Sequence, residues 1–136
     1  MTFRCGHCAW RPGLAVLVAG LLTSDCGRPN RSDQQPQVVW TLSPAQSVVG
    51  PAVLSVQLHQ PSGAPATGAT VTLEAHMSHA GMAPVLASAT ETTPGLYSVP
   101  FTFTMPGDWV LLVSTMLPDG TRVEQRIDVA NVRPSG

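Results

Sequence analysis

The stretch AVLSVQLH, Ala52 to His59, sets Leu54, Val56 and Leu58 against Ser55, Gln57 and His59 in strict alternation. An extended backbone sends successive side chains to opposite faces, so this segment reads as a strand with one buried and one wet face. ATVTLEAHM, Ala69 to Met77, repeats the pattern, with Val71, Leu73 and Ala75 alternating with Thr70, Thr72, Glu74 and His76. Between and beyond them lie turn signals that fix φ or permit positive φ: Pro61 to Gly63, Pro94-Gly95, Pro106 to Asp108 and Pro118 to Gly120.

The same rhythm extends both ways. Candidate strands run over 38–42, 52–59, 69–77, 85–90, 95–104, 109–115 and 122–129, and no segment of useful length carries a helical period. About seven short strands in ~100 residues predict an all-β, immunoglobulin-like sandwich over 38–136, without the inter-sheet disulfide of antibody domains. Its core should gather Trp109, Tyr97, Phe101 or Phe103, Val71 and Leu73.

Composition narrows the function. Apolar residues make up 43% of the 136 and charged residues 11%, the net charge is −1, and there is no lysine. The seven scattered arginines form no basic stripe, which argues against nucleic acid as a partner. No paired carboxylates in a cleft-like context, Ser-His-Asp order or phosphate loop points to an enzyme.

Ahead of the strands, Arg4 and Arg11 precede the apolar run Leu14 to Leu22, and Thr23 to Gly27 follow it. This is the order of a secretion signal, over 1–26, and a run of about nine residues is short of the ~20 that span a bilayer. Cys26 stands where a bacterial lipoprotein carries its acylated cysteine, with Asp25 in a place where a small residue is usual, and 27–37 forms a polar tether. The expected location is the cell envelope, periplasmic or extracellular, held to the membrane through a lipid or freely secreted. Cys5 and Cys8 have redox-motif spacing but fall in the leader, so the folded part has no thiol.

One segment departs from the strand-and-turn rhythm. EAHMSHAGMAP, Glu74 to Pro84, holds His76, Met77, His79 and Met82, two of the four histidines and two of the five methionines. Imidazole and thioether suit Cu(I) or Cu(II) better than hard cations. Period two sends His76 and Met77 to opposite faces unless the strand bends there, while Gly81 and Pro84 favour a turn that brings His79 and Met82 together. Met105, before Pro106-Gly107, is a candidate to approach from the other sheet, with His76 held in reserve. Methionine is also a flexible core filler. A metal-free structural or protein-interaction domain of the envelope is therefore the alternative.

GATVTLEAHMSHAGMAPV (Gly68 to Val85), PGLY (Pro94 to Tyr97), FTMPGDW (Phe103 to Trp109) and PDG (Pro118 to Gly120) together resemble the YtkA-like domain, related to FixH, over roughly Pro51 to Val129. The resemblance implies a bacterial envelope protein with an immunoglobulin-like sandwich. It also implies a role near copper-handling proteins or in the assembly of copper-containing terminal oxidases. Position by position, its loop pattern falls on Met77, His79 and Met82, with Met105 in the Phe-x-Met-x-Gly segment. FixH itself carries a membrane-spanning N-terminal helix.

Overall fold

The computed structural model describes residues 35–45 and 47–136. The expected export signal, Cys26 and all but the end of the expected tether lie outside the described residues. Eight strands follow: β1 Gln37–Ser43, β2 Gly50–His59, β3 Thr70–Met77, β4 Val85–Ser88, β5 Thr90–Thr93, β6 Leu96–Phe103, β7 Gly107–Met116 and β8 Arg122–Val132. They form two four-stranded sheets, β1-β2-β6-β5 and β4-β3-β7-β8, with every neighbouring pair antiparallel. This is the immunoglobulin-like sandwich that the alternation predicts.

Between the sheets lie Leu54, Val56, Leu58, Tyr97, Val99 and Phe103 from one side and Val71, Leu73, Ala75, Trp109, Leu111, Val113 and Ile127 from the other, all buried. Phe101 is buried as well, edge-on to Phe103 with ring centroids 4.9 Å apart, and Phe103 is edge-on to Trp109 at 5.4 Å. Edge-to-face contacts of this kind add to the area that the rings remove from water.

The expected strand over 85–90 is two strands in different sheets. β4 pairs with β3, the chain changes sheets at Ala89, whose N–H reaches the Val71 carbonyl at 2.9 Å, and β5 pairs with β6. β5 is a fully exposed edge, so Thr90 to Thr93 carry no apolar alternation that would reveal it. Gln37, assigned above to the tether, opens β1. Pro106-Gly107 is not a hairpin turn either, because it carries the chain from β6 in one sheet to β7 in the other.

Gly95 and Tyr97 fasten the long β2–β3 connection to the sheet. Gly95 has φ +76°, and a Cβ there would lie 2.8 Å from the Leu58 carbonyl oxygen and 2.9 Å from Pro65 Cβ. The buried Tyr97 hydroxyl donates to the Ala66 carbonyl and accepts from the Ala69 N–H, both at 3.0 Å. The Glu91 carboxylate accepts the N–H groups of Gly95 (2.9 Å) and Gly68 (3.0 Å), and these bonds, Gly95 first, hold it below the usual carboxylate range. Since the folded state binds the ionised form better, the contribution of Glu91 is complete above that range and is lost as pH falls through the lowered folded value. E91Q should therefore lower the melting temperature at neutral pH by a few degrees, with the gap to wild type closing in acid. A scan of melting temperature against pH on both proteins checks this.

Candidate metal centre

The residues of the His/Met segment divide between two places. β3 stays extended to its last residue, so His76 and Met77 point to opposite faces. His76 lies on the outer face of its sheet, half-buried, with Nε2 3.1 Å from Glu74 Oε2. Met77 is on the core side, half-buried, against the hydrophobic core.

Two connections meet at this end of the sandwich. One is the 78–84 loop between β3 and β4, which carries His79 and Met82. The other is the 104–106 link between β6 and β7, which carries Met105. His79 is exposed, and Met82 and Met105 are 45% and 42% exposed, values that leave both thioethers open to a solvent-borne ligand. Gly81, at φ +91°, supplies the left-handed residue on which the first loop turns.

Three contacts pin the two connections side by side. Met77 pairs with Trp109 in the β3–β7 ladder, and its methyl lies 3.0 Å from where a Cβ on Gly107 would stand. The Ser78 N–H donates to the Asp108 carbonyl at 2.9 Å. The Trp109 indole Nε1–H donates to the Met105 carbonyl at 3.0 Å, from a ring that is itself buried. Asp108 is more than a turn residue, since its carboxylate accepts the Asn131 N–H at 2.8 Å and ties in the end of β8.

The FTMPGDW segment thus has a structural meaning. Phe103 and Trp109 meet edge to face in the core, the indole N–H fixes the backbone of Met105, and Gly107 admits the methyl of Met77. The chain brings Met105 across from the opposite sheet to the end where β3 delivers Met77. Among the described residues no group of three or more His, Cys, Asp or Glu side chains is placed to hold a metal ion.

The sequence profile described as YtkA-like matches residues 34–114, which include β1 to β6, the His/Met loop and most of β7. The chain belongs to the YtkA-like family. No curated protein matches it. Among solved structures, this YtkA-like domain is similar to CopC from Methylosinus trichosporium OB3b, with 16% identity and a TM-score of 0.50 over 75% of this chain and 97% of that one. Murine CRIg gives 13% identity and a TM-score of 0.42 over 75% of this chain and 99% of that one. At such identities the likeness to CopC speaks for a shared sandwich fold.

Proposed function

We propose that this YtkA-like domain is a copper-binding module of the bacterial cell envelope, taking Cu(I) on Met77, Met82, Met105 and His79. The observation that carries the reading is that the Met77 methyl packs at Gly107, two residues after Met105 in the link whose backbone the Trp109 indole holds at the Met105 carbonyl. Two thioethers 28 positions apart in the sequence are thereby given to one end of the fold, where the loop that follows Met77 offers a third sulfur and an imidazole. Thioether binds soft Cu(I) and needs no deprotonation, while zinc favours thiolate, imidazole and carboxylate. His76 is the least suited of the five candidates, being turned to the outer face and paired with Glu74.

Exposure of Met82, Met105 and His79 suits a carrier that takes up and passes on its ion, in keeping with a role in copper handling or respiratory-oxidase assembly. Export through the N-terminal signal, with Cys26 as the site of a lipid anchor, would place the domain where such assembly occurs.

Metal selectivity and pH test the donor set. The chain with Cys5, Cys8 and Cys26 replaced by serine should bind one Cu(I) under reducing conditions and should not retain Zn(II) at the same concentration. Thioether is not protonated in this range, whereas imidazole ligation fails below ~pH 6.5. With His79 the one titrating ligand among four, Cu(I) affinity should therefore fall only modestly between about pH 7.5 and about pH 5.5. Zinc retention, or a steep fall in affinity across that interval, would assign the binding to histidine and not to the methionines.

A further inference from the structure

The four sheet edges of the sandwich are not equally protected. β4 and β5 are four residues each, β5 is bulged between Glu91 and Thr93, and where its ladder ends β6 continues to Pro100, which has no N–H to offer. β8 alternates Arg122, Glu124, Arg126 and Asp128 along its exposed face. Charges, short strands, bulges and proline are the devices by which natural sheets avoid edge-to-edge pairing.

β1 has none of them. Its seven residues, QVVWTLS, contain no charge, no proline and no bulge, and they pair with β2 in unbroken register from Gln37↔His59 to Ser43↔Val53. Along its free side, alternate backbone N–H and C=O groups have no strand partner among the described residues. Trp40 lies opposite the buried Val56, yet it is 41% exposed because the sandwich is open between β1 and β8. There it lines a groove of about 650 Å³ with Leu42 and Val129.

We propose that β1 pairs antiparallel with β1 of a second copy of this chain, centred on Trp40. The strand is self-complementary about that residue, which is its midpoint. Turned end for end, it sets Trp40 opposite Trp40, Val38 opposite Leu42 on the core side, and Val39 opposite Thr41 on the outer side, with no like charges meeting. The pairing is isologous and closes as a dimer, it satisfies the edge backbone, and it draws the two exposed indoles into a shared groove. An interface built on one short strand is small, so the dimer is weak and reversible.

The register gives the test. V39K/T41K sets lysine opposite lysine at both symmetric positions, whereas V39K/T41E, an equal burden of substitution at the same two exposed sites, sets lysine opposite glutamate. By sedimentation equilibrium on the full chain under reducing conditions, from ~5 µM to ~1 mM, wild type should pass from monomer to dimer. V39K/T41K should associate at least roughly tenfold more weakly, and V39K/T41E should recover. A wild-type chain that stays monomeric throughout, including one that instead captures an unrelated extended peptide, would overturn the proposal. So would a dimer indifferent to V39K/T41K, or one that both double variants abolish equally.

Discussion

Trp109→Ala is expected to remove a large share of the folding stability of the domain. The indole is buried, packs edge-on against Phe103, and donates its N–H to the Met105 carbonyl, so truncation both opens a cavity and removes that hydrogen bond. Loss of a buried aromatic costs ~3 to 5 kcal/mol, against a total of ~5 to 15 kcal/mol for a domain of ordinary stability. Denaturant unfolding followed by circular dichroism should show a much lower midpoint or no cooperative transition. A variant with wild-type stability would contradict the packing described here. Trp109→Phe weights the two roles differently, because it keeps a ring in the core while deleting the donor and only part of the buried volume. It should fold with a smaller loss and bind Cu(I) more weakly, since the Met105 backbone is no longer held.

How much of this was legible in the sequence depends on the range over which each signal acts. Alternation is local, so β2 and β3 could be read residue by residue, as could the opposite orientations of His76 and Met77. β5 could not, because an edge strand exposed on both faces leaves Thr90 to Thr93 with no period to detect. Tyr97 and Trp109 are buried as expected, as are both Phe101 and Phe103, but the partners of the Tyr97 hydroxyl and the Trp109 indole N–H depend on chain reversals that no local pattern encodes. Glu91 stands in the polar run Thr90 to Thr93, and its carboxylate accepts two N–H groups, one 23 positions back and one 4 positions ahead.

The candidate metal centre shows the same division. Residue chemistry pointed to Met77, His79, Met82 and Met105, with His76 in reserve, and Gly81 announced the turn. That Gly107 would be the contact for Met77, and Trp109 the anchor for Met105, follows from the β3–β7 register and from the crossing between sheets. Trp40 was legible as a strand residue but not as the exposed one, because the open seam between β1 and β8 is a property of the whole sandwich.

The largest functional effect is expected from M77A/H79A/M82A, which removes three of the four proposed ligands and leaves Met105 alone. Met82 and His79 are exposed and Met77 only half-buried, so the fold should survive, as an unchanged circular dichroism spectrum would verify. Changes around a metal's ligands alone cost roughly 10- to 100-fold in affinity, and deleting most of the ligands should exceed that range. The direct measurement is a competition titration against a Cu(I) chelator, with both proteins in the background where Cys5, Cys8 and Cys26 are serine. The account predicts one tightly held Cu(I) in the parent and a loss of more than ~100-fold in the triple variant. Equal affinity in the two, or no binding by either, would contradict it.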